Sequence, residues 1–204
     1  MAQSRQIENE PGGARTMDER AIDAAYSAAQ VSPWTFREKL GRALWIVVRG
    51  SLFRYSWHNC YGWRRFLLRC FGATVGERVV IRPTAWIEIP WLLTIGDLSS
   101  IGDFAIVYNL GRIMIGRRVT ISQHAHLCAG THDISRWSMP LLRPPITIGD
   151  DAWIATEAFV GPGVTVGPGA ILGARSSAFR DVPPWTINTG TPARVVRERP
   201  RPSA

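Results

Sequence analysis

Four histidines and three cysteines are the groups in this 204-residue chain best suited to move a proton or hold a soft metal near neutral pH. His124, His126 and Cys128 alternate, and in a strand that spacing sets all three on one face, where they could ligate zinc or offer the Cys128 thiolate as a nucleophile. His132 stands apart, between Thr131 and Asp133. An unperturbed imidazole, with a pKa of about 6.5, is mostly neutral at cytoplasmic pH; it can take a proton from an attacking hydroxyl and return it to a leaving group. Read by residue type alone, His132 is also simply a solvated loop histidine. Asp133 is a candidate to orient its ring, although adjacency in sequence does not bring two side chains together.

What must position these groups is a six-residue period. From Val75 onward a branched aliphatic recurs at every sixth position: Val75, Ile81, Ile87; Ile95, Ile101, Val107; Ile115, Ile121, Leu127; Ile148, Ile154, Val160; Val166, Leu172 and finally Ala178. The next residue is often glycine, as at Gly76, Gly96, Gly116 and Gly149, and the fourth residue on is small, as at Ala85, Ala105, Ala125 and Ala158. Each hexapeptide supplies a short strand and a turn, and three close a triangular coil whose interior the aliphatics fill. Glycine is expected to permit the tight backbone at the turn. The pattern predicts a mainly β protein, a parallel β-helix of five hexapeptide coils over 73–180. Two coil junctions carry two extra residues, and the third, between Leu127 and Ile148, carries 15 more than the period needs. An excursion of that length is where function concentrates. In this register His124, His126 and Cys128 flank interior residues and point outward, so no metal is expected there.

Ahead of the prism, residues 34–72 read as a basic aromatic helical segment. Phe36, Leu40, Leu44 and Val47 recur at helical spacing, as do Trp63, Phe66, Leu67 and Cys70, with arginines largely off each apolar stripe. The helices either cap the open strand edge of the first coil or lie on a membrane. From Trp34 to Arg82, ten arginines and lysines face two glutamates, which accounts for the whole formal excess of +8, and four of the nine tryptophans fall there. That mixture suits anionic lipid headgroups, the alternative being a solvated helical face. No nucleic-acid-binding motif accompanies the charge. Residues 1–33 read as a disordered tail without a secretory signal, and the longest apolar run, Ala43 to Val48, is far short of the roughly 20 residues a membrane span needs. Residues 181–204, rich in proline and arginine, are expected to wrap back as a tail rather than add coils. Three cysteines without a C-x-x-C spacing suit a reducing compartment, and a cytoplasmic protein is expected.

The period over 75–180, with Thr131-His132-Asp133 in the long loop, Pro145 to Ile154 and Gly161 to Gly167, resembles the hexapeptide-repeat acyltransferases, in particular the galactoside and maltose acetyltransferase group. Trp63 to Arg69, Tyr108-Asn109-Leu110-Gly111 and Ile121 to Cys128 resemble the colanic-acid-type exopolysaccharide acetyltransferases more closely. The resemblance implies a left-handed coil, a homotrimer, and acetyl transfer from acetyl-CoA to a hydroxyl of a sugar or glycolipid acceptor. It implies His132 as the general base, Asn109 and Asp133 beside the acceptor, and Trp153, Ala155, Gly173 and Ala174 along the CoA arm. It assigns Arg180 and Arg194, with Arg197 a further candidate, to the CoA phosphates, guanidinium groups being bidentate phosphate ligands. Peripheral contact of 34–72 with the inner face of a membrane would suit a lipid-linked acceptor. Two other readings stand beside this one: a γ-carbonic-anhydrase-like zinc enzyme, which needs histidines on successive coils, and a non-catalytic hexapeptide-repeat scaffold.

Overall fold

The computed structural model describes residues 19–29 and 32–201. It divides into two compact units: a small one containing helix α1 (Glu19–Ala29) and the loop tip Asp133–Pro140, and a large one formed by Trp34–His132 and Leu141–Ala204. Helix α1 falls within the stretch 1–33 expected to be disordered; the remainder of that stretch, apart from 32 and 33, lies outside the described residues.

In the large unit all fifteen aliphatics of the six-residue register are buried, none more than 6% exposed. They stack because each coil lies in register on the last. Face one of the prism carries Thr74–Val75, Leu93–Ile95, Ile113–Ile115, Ile146–Ile148 and Thr165–Val166. Face two begins at Val80–Ile81 and runs through Ser100–Ile101, Thr120–Ile121, Trp153–Ile154 and Ile171–Leu172. Face three runs from Trp86–Ile87 through Ile106–Tyr108, His126–Cys128 and Phe159–Val160 to Ser177–Ala178. All of these pairings are parallel, and the small residues Ala85, Ala105, Ala125 and Ala158 are buried where the wall turns.

The glycines serve a different purpose from the expected one. The left-handed backbone falls two positions later, mostly on other residue types: Arg78, Leu98, Phe104, Arg118, His124, Asp151, Glu157 and Arg175 all have φ between 54° and 62°. Glycine is needed one residue after the aliphatic because the next coil passes too close for a Cβ; at Gly116 an added Cβ would lie 2.8 Å from the Asp150 amide nitrogen. Asp150 Oδ1 occupies that gap and accepts the Arg117 N–H at 2.9 Å, tying one coil to the next. Gly116→Ala should therefore destabilise the protein by about 1–3 kcal/mol in thermal unfolding. Gly50→Ala, at a position with nothing within 4 Å of the added carbon, should be neutral or slightly stabilising.

The first coil would expose a row of backbone carbonyls, and the basic segment satisfies them. Helix α2 (Phe36–Val48) continues as a π-turn over Arg49–Phe53, and helix α3 (Tyr61–Cys70) follows. Arg69 donates to Val75 O at 2.6 and 3.0 Å, Arg65 to Val79 O at 3.0 Å and Arg64 to Ile81 O at 2.6 Å. Trp45 Nε1 donates to Ile87 O at 2.8 Å. One carbonyl on each of the three faces is thus capped. The segment caps the prism with the side of α2 that carries Gly41, Arg42 and Trp45; the stripe Phe36, Leu40, Leu44 and Val47 faces outward, each residue at least half exposed.

The other end corrects the expected tail. Val182 bridges in parallel to Val166, and Thr186–Thr189 pairs in parallel with Ile171–Leu172, so a partial sixth coil forms before Arg194–Glu198 folds back antiparallel. Pro183 and Pro184 sit between the Val182 bridge and the strand Thr186–Thr189 and take no rung of either. No helix among the described residues is long and apolar enough to cross a membrane.

Candidate active site

Every departure from the six-residue period falls at one corner, where face three passes to face one. The first is the short turn Pro90–Leu92, the second runs through Asn109 and Gly111, and the third is the long loop. They are bonded to one another. Asn109 is fully buried; its Oδ1 accepts from Ile89 N at 2.9 Å and its Nδ2 donates to Ile89 O at 2.5 Å. Both polar atoms of the carboxamide thus join the first excursion to the second, and these bonds compete with the acceptor contact the resemblance implies for Asn109. Gly111 N donates to Ala129 O at 2.7 Å and Ile146 N to Arg112 O at 3.0 Å, so both roots of the long loop rest on the second excursion. The Arg143 guanidinium stacks 3.9 Å from the centre of the Trp34 ring, tying the returning strand to the cap.

From these roots Thr131–His132 pairs antiparallel with Leu141–Leu142, His132 opposite Leu141. The ribbon fixes the backbone of His132 while leaving the residue exposed. Asp133 belongs to the loop tip. Its Oδ1 accepts from Ser135 Oγ at 2.6 Å and Ser135 N at 3.0 Å, and Arg136 lies 3.5 Å from Oδ2. The Ser135 hydroxyl and amide, with Arg136 alongside, hold this carboxyl below its ordinary range. The carboxylate thus closes a local turn, and those bonds compete with the orienting role considered for it.

His124, His126 and Cys128 do not form a set. His124 lies at a left-handed corner, its ring stacked on Phe104 at 5.2 Å, because the strand begins only at His126. His126 sits edge-on between Tyr108 and Phe159, and burial pushes its proton affinity down. Among the described residues no three His, Cys, Asp or Glu side chains are grouped to hold a metal ion.

Trp153 is 43% exposed on face two, its indole N–H donated to Ser122 Oγ at 2.9 Å, which fixes the plane of the ring. Ala155 and Gly173 lie on the same wall, but their N–H groups are bonded to Leu172 O and Asn188 O, at 2.9 and 2.8 Å. Ala174 is exposed at the corner that follows. Arg180 and Arg194, fourteen residues apart, line one cavity of about 220 Å³ with Phe179, Asp181, Asn188 and Pro192. The strand pair formed by Thr186–Thr189 and Arg194–Glu198 brings them together. Arg197 lies opposite Ile187 in that pair and does not line the cavity. Arg199, not singled out from the sequence, donates to Asp151 O at 2.8 Å and Gly169 O at 2.9 Å and so clasps the returning strand to the wall. Its only sequence signal is its place among the prolines and arginines of the tail.

Among solved structures, a hexapeptide-repeat acetyltransferase of Vibrio cholerae complexed with acetyl-CoA superposes with a TM-score of 0.75 at 24% identity, covering 91% of this chain and 100% of that one. A galactoside acetyltransferase in complex with coenzyme A gives 0.75 at 24% identity over 87% and 90%. These likenesses define the architecture as the left-handed β-helix of the hexapeptide-repeat class. No family model matches the chain. Over 156 residues, 76% of this chain and 86% of the relative, it is 47% identical to the putative colanic acid biosynthesis acetyltransferase WcaF of Escherichia coli (strain K12). It is 31% identical to the galactoside O-acetyltransferase of the same organism over 164 residues, 74% of this chain and 78% of the relative. The chain belongs to the hexapeptide-repeat acetyltransferase family, in the group of the colanic acid biosynthesis acetyltransferases.

Proposed function

We propose that this acetyltransferase moves an acetyl group from acetyl-CoA to a sugar hydroxyl of an exopolysaccharide or of its glycolipid precursor, with His132 as general base. The observation that carries the proposal is an exposed imidazole on a backbone-paired ribbon, rooted in the corner where all three excursions meet. In the step proposed, neutral His132 takes the hydroxyl proton as the oxygen attacks the thioester carbonyl. The carbon–sulfur bond then breaks, and the imidazolium returns the proton to the departing CoA thiolate. A base whose backbone is held by the ribbon also spends less entropy in reaching the attack geometry.

The CoA arm is assigned to a groove between neighbouring prisms of a homotrimer, with the fixed Trp153 ring and Ala174 along it and with Ala155 and Gly173 supplying wall surface. Their N–H groups, already bonded, are not its donors. Arg180 and Arg194 are assigned to the CoA phosphates because they share one cavity. Arg180→Ala and Arg194→Ala should each raise KM for acetyl-CoA about tenfold, the loss of one charge-assisted contact, with kcat little changed. Steady-state kinetics against acetyl-CoA checks this, and an unchanged KM in both would remove the phosphates from that cavity. The enzyme is assigned to the cytoplasm, with residues 34–72 towards the inner membrane face and a lipid-linked acceptor within reach of the His132 corner.

A further inference from the structure

Helix α2 meets the prism with one side only. At about 100° per residue, Phe36, Leu40, Leu44 and Val47 fall within an arc of about 80°, and they are 79%, 50%, 53% and 68% exposed. The opposite side is engaged: Trp45 is fully buried, Arg42 donates to Glu88 at 2.8 Å, and Gly41 packs against the Trp91 ring. Just beyond the helix, Leu52, Tyr55 and Trp57 are 53%, 85% and 79% exposed. An uncovered patch of this kind marks an interaction surface.

Charge says what covers it. Arg42, Arg49, Arg64, Arg65 and Arg69 are spent on carbonyls or on Glu88 and Glu77. Arg37 and Lys39 border the apolar stripe on either side and make no ion pair among the described residues. Glu38, the one acidic residue of 34–72, lies away from the stripe and is occupied by the Thr35 amide and hydroxyl, at 2.8 and 2.9 Å. The surface is therefore apolar, aromatic and purely cationic at its borders. A second copy apposed on the same patch would set like charge against like charge, whereas anionic headgroups supply the opposite charge, and acyl chains and the headgroup interface take the aliphatic and aromatic side chains.

We propose that α2 is an interfacial helix that docks the enzyme on an anionic phospholipid surface through Phe36, Leu40, Leu44 and Val47, while its other side caps the β-helix. This rests on the membrane-facing part of the reading above and names the surface that performs it. The test is flotation of the full-length protein with vesicles of phosphatidylcholine alone or with phosphatidylglycerol. Two double variants, Phe36→Ser with Leu44→Ser and Arg37→Gln with Lys39→Gln, are compared with wild type. Thiol release with a soluble sugar acceptor and the mass of the assembly by sedimentation are measured on the same samples.

The wild type is expected to float with the anionic vesicles and to be partly released at high salt as the charges are screened. The apolar variant should bind at least about tenfold more weakly, since two buried side chains are lost, with thiol release and assembly mass unchanged. The charge variant should lose the preference for anionic vesicles. Failure of the wild type to float, equal flotation of the apolar variant, or a fall in its assembly mass, which would make the stripe a contact between copies, each overturns the proposal. Absence of thiol release in the wild type would instead overturn the catalytic reading and leave the vesicle result standing.

Discussion

His132→Ala is expected to lower acetyl transfer to a sugar acceptor by about 10²–10⁴-fold, the range for loss of a general base, or roughly 3–5 kcal/mol of barrier. The effect should appear almost wholly in kcat. His132 is exposed, and its backbone pairing with Leu141 needs no side chain, so the substitution leaves the ribbon and the wall in place. Acetyl-CoA affinity, measured by calorimetry, should match wild type, because the residues assigned to the cofactor lie on face two and at the last coil. A variant that releases thiol at the wild-type rate removes His132 from the chemistry. If wild type and variant alike fail to bind acetyl-CoA, the donor assignment fails and a non-catalytic scaffold becomes the reading to pursue.

Arg64→Met is expected to cost about 3–5 kcal/mol of stability, enough to lower the melting temperature by about 10 °C or more in a chain of this size. The guanidinium is fully buried and serves four acceptors: Ile81 O at 2.6 Å, Ser56 Oγ at 2.7 Å, Trp57 O at 3.0 Å and His58 O at 2.6 Å. Methionine replaces most of the volume and none of the donors, so Ile81 O is left unsatisfied in the interior and Ser56, Trp57 and His58 lose the charge that gathers them. Burial already pushes the guanidinium's proton affinity down. Arg37→Met, on the exposed side of α2, should change stability by less than about 0.5 kcal/mol. Equal melting temperatures for the two variants would show that the helical cap does not depend on Arg64.

Both predictions rest on residues that were visible in the sequence to different degrees. His132 was singled out because an extrusion of fifteen residues carries it and because Thr131-His132-Asp133 and the segments after it resemble the acetyltransferase motif; residue type and loop position alone read equally as a solvated histidine. Arg64 was legible only as part of a basic stretch, and the charge alone suggested a lipid or solvent partner. The structure shows four of those arginines, Arg49, Arg64, Arg65 and Arg69, turned inward on Val75, Val79, Ile81 and Ile87, whose carbonyls need donors because no coil precedes them. The apolar stripe of α2, for which the spacing left both capping and a membrane surface open, is exposed.

The sequence by itself determined the prism, its three-sided coil and the identity of its fifteen interior residues, because a six-residue period repeats one local decision at every step. It also located the corner that throws out the loop. Only the tertiary structure decided that glycine answers to the neighbouring coil rather than to the turn, that Asn109 is spent on Ile89, and that Arg180 and Arg194 share a cavity. It alone showed that residues beyond 181 begin a sixth coil and that α2 turns its apolar side away from the prism. Each of these depends on which atoms of distant segments meet across a gap of a few ångströms. A period along the chain records which side of the wall a residue occupies and which rung it stacks on, and carries no information about contacts made by residues that break the period or lie outside it.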